Sequence, residues 1–153
     1  MKNTELKKPV SDIGNCSATV STRDHSTVTN TGNQSASVNS GFQSEAVNSG
    51  NRSVAVNSGN QSEAMNTGNQ SAAINTGYQS AAEVASGGSV AIVTGYQSKA
   101  KARLGSAIVI AERGGWNGET YPLIGIKAAI VDGEKIKDDT WYTLRNGEFV
   151  ECD

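Results

Sequence analysis

Residues 46–77 read AVNSGNRSVAVNSGNQSEAMNTGNQSAAINTG, and the phrase Asn-Ser/Thr-Gly returns in them every nine residues. Self-similarity at a short fixed period is the mark of a repeat architecture, so the fold has to be read from the repeat outward. Aligned from Ser17, successive segments begin SATV, STVT, SASV, SEAV, SVAV, SEAM, SAAI, SAAE, SVAI and SKAK. Most of them continue into a turn of Asn, Ser or Thr, Gly and Gln. The four-residue openings alternate in character as half-buried strands do, and Gly and Asn tolerate the positive φ that tight turns require. A helix is excluded on two grounds: no 3.6-residue apolar stripe runs through the region, and Gly every nine residues would penalise one.

Alternate segments differ, which doubles the unit. One set places Ala18/Val20, Ala36/Val38, Val54/Val56, Ala72/Ile74, Val90/Ile92 and Ile108/Ile110 at its second and fourth strand positions, eighteen residues apart. The other set carries Thr27/Thr29, Glu45/Val47, Glu63/Met65, Ala81/Glu83 and Lys99/Lys101 at those positions. The aromatics keep to one edge, with Phe42, Tyr78 and Tyr96 in equivalent turns. The expected fold is therefore all-β: a parallel β-solenoid, or β-roll, with about eighteen residues per coil made of two nine-residue repeats. Each strand would pair with its equivalents one coil above and below, so five coils would stand roughly 24 Å tall. Asn39, Asn48, Asn57, Asn66 and Asn75 are expected to form a ladder, each side chain bonding its copy.

Strand positions one and three share a face, and two and four share the other. Position one is nearly always Ser and position three mostly Ala, while Glu45, Glu63, Glu83, Lys99 and Lys101 fall on the other face. Unpaired charges do not enter a dry interior, so in that set the Ser/Ala face points inward. If the apolar set follows the same rule, Val38, Val54, Val56, Ile74, Val90, Ile92, Ile108 and Ile110 form an outward stripe. Such a patch rarely stays wet on a soluble monomer, so it is expected to be buried against other copies of the chain. A competing arrangement puts Val and Ile inside, as ordinary core.

Two phrases, GSVAIVTGYQSKAKA (residues 88–102) and SVAVNSGNQSEAM (residues 53–65), resemble the head repeats of YadA-like trimeric autotransporter adhesins. The resemblance covers residues 17–106 and rests on Ser-x-Ala-x-Gly flavour, although this repeat is longer than that family's. It implies a parallel β-roll that trimerises through apolar strand faces. The whole chain, with its tail GIKAAIVDGEKIKDDTWYTLRNGEFVE (residues 125–151), also resembles uncharacterised repeat proteins of bacteria and their phages, which implies no activity.

Three regions are expected: a leader or N-terminal cap over residues 1–16, the solenoid over 17–113, and a small β-rich cap over 114–153. In the cap, PLIGIKAAIVDGEKI reads as a strand, a turn at Asp132-Gly133 and a short strand, and TWYTLRNGEFVEC reads as a hairpin about Asn146-Gly147. A stack needs its end covered, because an open coil exposes unpaired strand edges.

The composition narrows function. A formal net charge of −2 gives no basic footprint for nucleic acid. No apolar run approaches a membrane span, and the start MKNTELKKP has no signal-like apolar stretch. Cys16 and Cys152 read as free thiols, and with the single His25 they cannot supply a zinc set. The turns offer almost no Asp for calcium, and no metal or cofactor is expected. Sequon matches such as Asn33-Gln34-Ser35 read as accidents of the repeat. No acid/base pair or nucleophile constellation appears, so no enzyme is expected. The expected function is a structural or adhesive module: a homo-oligomer, trimer favoured, displaying polar ridges at a cell or virion surface. The alternative is a soluble bacterial or phage binding protein that captures a host glycan or surface protein. It would do so through Phe42, Tyr78 and Tyr96 or through the cap.

Overall fold

The computed structural model describes residues 9–153. It is an all-β solenoid with coils of about eighteen residues over residues 10–110, closed at its C-terminal end by antiparallel strands. The strands are β1 (Val10–Asp12), β2 (Ala18–Ser21), β3 (Thr27–Asn30), β4 (Ala36–Asn39), β5 (Glu45–Asn48), β6 (Val54–Asn57), β7 (Glu63–Asn66) and β8 (Ala72–Asn75). They continue with β9 (Ala81–Val84), β10 (Val90–Val93), β11 (Lys99–Ala102), β12 (Ala107–Arg113), β13 (Leu123–Ile130), β14 (Trp141–Arg145) and β15 (Glu148–Cys152). Strands alternate between two sheets. One runs β1-β3-β5-β7-β9-β11-β14-β15 and the other β2-β4-β6-β8-β10-β12-β13. Within the stack the pairing is parallel and in register, Val54 against Ala72 and Ala72 against Val90, so each chemical position forms a column. The column begins earlier than the repeat pattern indicates. β1, in the segment expected as a leader or N-terminal cap, already pairs in parallel with β3.

Inward positions are Ser, Ala and Asn, with Ala46, Ala55, Ala64, Ala73, Ala82 and Ala91 wholly buried. The asparagines do not form the expected copy-to-copy ladder. Each is fully buried and bonds main chain instead. Asn57 Nδ2 donates to the carbonyls of Ser44 and Glu63, both at 3.1 Å, while its Oδ1 accepts the Gly59 N–H at 2.9 Å. One carboxamide thus ties its own turn to the opposite sheet, and the pattern recurs at Asn39, Asn48, Asn66 and Asn75. Among the described residues no buried side-chain nitrogen or oxygen lacks a partner, as a polar interior requires.

The interior turns apolar near the cap. Val84 and Val93 replace Asn in its columns, and Ile108, Ile110, Val131, Ile136, Tyr142 and Leu144 complete a plug. Ile108 and Ile110 were expected on the outward stripe and are instead 0% and 1% exposed. The cause is a turn one residue short. Val90 pairs with Ala107, not with residue 108, so strand parity shifts by one and Ala107 and Val109 take the outward places.

β13 pairs antiparallel with β12, and β14 docks antiparallel on β11 at Ala100–Tyr142. The β14–β15 hairpin turns at Asn146 and Gly147, with φ of 51° and 72°, the two positive values a type I′ turn needs. Glu112 holds that turn, accepting the N–H groups of Asn146 and Gly147 at 2.6 and 2.8 Å. The short strand expected after Asp132-Gly133 does not form. Asp132 Oδ1 instead accepts three main-chain N–H groups, from Glu134, Lys135 and Ile136, and curls the segment into a compact loop.

Candidate functional site

Three surfaces are candidates: the turn edges, the aromatic cluster on one of them, and the outer face of the seven-stranded sheet. On the turn edge leading out of that sheet, Gln43, Gln61, Gln79 and Gln97 all adopt left-handed backbone with φ of 49–53°. Their carboxamides bond in series, at 3.0, 3.2 and 2.9 Å, so here the side chains do bond their copies. Residues one position earlier link coils differently. Asp24 Oδ1 accepts the Phe42 N–H at 2.7 Å and Asn60 Oδ1 accepts the Tyr78 N–H at 2.9 Å. The opposite edge repeats this with Asn15, Asn33, Asn51 and Asn69. Both edges are thus continuous amide ridges.

The structure brings Tyr78 and Tyr96 together and leaves Phe42 apart. The two tyrosine rings stack at 5.8 Å, whereas Phe42 meets His25 edge-on at 6.0 Å. His25 itself is an exposed turn residue with φ of 53°. Two residues that the repeat did not signal complete the tyrosine cluster. Tyr121 stacks on Tyr96 at 4.2 Å, and Trp116 meets Tyr121 edge-on at 5.3 Å. They reach the column because Arg113 clamps the loop after β12, its Nε donating to the Thr94 carbonyl at 2.6 Å and its Nη1 to that of Tyr121 at 3.0 Å. Tyr121 also lies 5.8 Å from Tyr78, so the three tyrosine rings form one triangular cluster, while Trp116 remains 59% exposed.

The outer face of the seven-stranded sheet carries Val38, Val54, Val56, Ile74, Val90 and Ile92, all half-buried and pointing outward. The competing interior placement is thereby overturned for these six. Val20 lies at the lower end and Ala107 and Val109 at the upper end of the same rows. The rows continue into the cap: Ile130 pairs with Ala107, Ala128 with Val109 and Ile126 with Ala111. Leu123, Ile124, Ile126 and Ile130 on β13 are 59, 64, 62 and 68% exposed. Neither row holds a charged side chain from Ala18 to Ile130. The contribution of β13 had a signal in the sequence, the period-two set Ile126, Ala128, Ile130, but its partner strand was not assignable from the repeat.

The outer face of the other sheet is charged. Lys101 Nζ lies 3.2 Å from Glu83 and 3.4 Å from Asp139, and the Trp141 ring sits 4.7 and 4.9 Å from the Lys99 and Lys101 ammonium groups. Burial first, then the neighbouring Glu45 and Glu83, push the Glu63 carboxyl above its ordinary range. Among the described residues no three His, Cys, Asp or Glu side chains converge as a metal site.

No protein-family model matches the chain, no curated protein matches it, and no solved structure matches it. What the molecule is rests on its architecture. It is a β-solenoid of about six turns.

Proposed function

We propose that this solenoid is a non-enzymatic structural and adhesive module, a rigid shaft that assembles with copies of itself and displays its amide ridges. The observation that carries this reading is the uncharged outer face of the seven-stranded sheet. Its seven strands span roughly 29 Å at the usual strand spacing, and two side-chain rows make it roughly 450 Å2 of apolar surface. A contiguous apolar surface of that size marks an interaction site. Three such faces meeting on one axis would cover roughly 1,350 Å2 between them before the flanking Ser and Gln rows are added. A face only two side chains wide also lets three shafts converge on one axis parallel to the solenoid, so the assembly proposed is a trimer. The ridges then face solvent, at a cell or virion surface, as repeated rows of carboxamides.

Val56→Glu combined with Ile74→Glu places two carboxylates in the middle of the stripe. Sedimentation or light scattering is expected to give three times the chain mass for the parent and a single chain mass for the variant. A parent that sediments as a monomer, or a variant whose mass does not change, rejects the reading.

A further inference from the structure

A cleft of about 430 Å3 lies where the last coil meets the cap hairpin, lined among others by Tyr96, Gln97, Lys99, Arg113, Thr143 and Arg145. Tyr96 brings the aromatic turn edge to its wall, and none of the six half-buried Val and Ile side chains of the stripe lines it. Two acidic residues share it. Glu112 has both oxygens committed to the hairpin turn, and Asp153 is exposed, with its main-chain oxygen taken by Lys99 Nζ. Among the described residues neither Arg113 nor Arg145 has a carboxylate within ion-pair distance. Arg113 uses Nε and one Nη on main-chain carbonyls, which leaves its second Nη free to donate. Gln97 ends the amide ladder, so its Oε1 is occupied by Gln79 while its Nε2 has no partner among the described residues. The cleft therefore holds an excess of unspent donors, two of them guanidinium groups. Guanidinium groups favour carboxylates, because the planar fork matches two oxygens.

We infer that this cleft binds a carboxylate-bearing sugar, a hexuronate unit of an acidic polysaccharide, with Arg113 and Arg145 on the carboxylate and Gln97 and Thr143 on ring hydroxyls. The volume holds one or two sugar rings. The exposed Trp116 ring, linked to Tyr96 through Tyr121, offers an apolar face to the next unit along the chain. The guanidinium clamp is the element that an acidic glycan needs and a neutral one does not, and the aromatic platform supplies stacking area for the neighbouring ring.

The test is calorimetric titration of the full chain with trigalacturonate, maltotriose and sodium acetate, with circular dichroism to confirm folding of each variant. Trigalacturonate is expected to bind with a millimolar or tighter Kd and maltotriose not to bind. Arg145→Ala is expected to weaken trigalacturonate at least ten-fold, Arg145→Lys to weaken it less, and Trp116→Ala to weaken it several-fold. Absence of saturable trigalacturonate binding overturns the assignment, as does a folded Arg145→Ala protein with unchanged affinity. Acetate binding as tight as the trisaccharide would reduce the cleft to a simple anion site and overturn its assignment to a sugar. Binding is expected to survive in the Val56→Glu, Ile74→Glu protein, so the site and the assembly proposal fail separately.

Discussion

The carbonyl oxygen of Gly41 occupies the space beside Gly59 where a β-carbon would project. The same overlap recurs between Gly77 and Gly59, and between Gly95 and Gly77, always against main chain of the coil below. Glycine is required here for close backbone approach, since Gly59 is absent from the positive-φ set. Gly59→Ala must push two coils apart through rigid backbone, and a loss of about 3 kcal/mol or more is expected, at the upper end of overpacking costs. Gly115→Ala, where a β-carbon meets nothing within 4 Å, is the matched control and should be near neutral. Urea unfolding of the two variants makes the comparison. Equal midpoints would show that the coils can separate without cost.

Asn57 makes the tie between turn and opposite sheet concrete. Asn57→Ala leaves the Gly59 N–H and the carbonyls of Ser44 and Glu63 without their side-chain partner inside a sealed interior. The Ser44 carbonyl keeps the Glu63 N–H at 3.0 Å, so the main cost falls on the Gly59 N–H. An unsatisfied buried donor costs about 1–3 kcal/mol when no water enters, and a loss of about that size is expected. Asn57→Asp should do no better, because a carboxylate can accept from Gly59 but cannot donate to the two carbonyls. Chemical denaturation reads both, and a stable Asp variant would show that the donor half of the amide is dispensable.

These two columns show where the sequence was legible. The nine-residue period and its doubling specify two alternating sheets, and charges such as Glu63 and Lys101 fix an inward Ser/Ala face for one of them. The outward Val/Ile stripe of the other follows only if it obeys the same rule, and the sequence leaves the interior placement open. The repeat puts Asn57 in the turn, although it continues strand parity to a fifth position and therefore faces inward. An eighteen-residue count carries Ile108 and Ile110 onto the stripe because it runs across a shortened turn. The serine column gives the true register, since the Ser89 N–H donates to Ser106 Oγ across seventeen residues. Trp116 and Tyr121 were out of reach because Arg113, a single clamp outside the repeat, folds their loop onto the tyrosines.

Gln79 sits in left-handed backbone at a φ of 50° while its carboxamide bonds Gln61 and Gln97. The backbone costs about 1–2 kcal/mol for a residue with a β-carbon, and the ladder offsets it. Gln79→Ala keeps the cost and loses the ladder, whereas Gln79→Gly loses the ladder but escapes the cost. The expected order of stability is Gln above Gly above Ala, with Gly ahead of Ala by about 1 kcal/mol. In a strand that order would be reversed. Thermal unfolding of the three proteins decides it, and an Ala variant more stable than the Gly variant would mean that the turn relaxes out of the left-handed region.

Glu63 couples stability to pH. Burial chiefly, and the like charges of Glu45 and Glu83, raise its carboxyl, with Lys101 and Lys99 opposing them. A carboxyl with a raised folded value holds its proton more tightly in the native state than in the unfolded chain. Its ionisation therefore subtracts stability as pH rises from the ordinary value of 4.5 through the raised folded value, and below that window both states are protonated. Glu63→Gln removes the ionisation and keeps the shape. At pH 7 the variant is expected to melt above the parent by a small margin, within about 4 °C for a chain of this size. The two melting curves should converge as pH falls to 4. A gap that persists unchanged at pH 4 would assign the gain to amide packing, and a variant less stable than the parent at pH 7 would mean that Lys99 and Lys101 hold the carboxylate more strongly than burial opposes it.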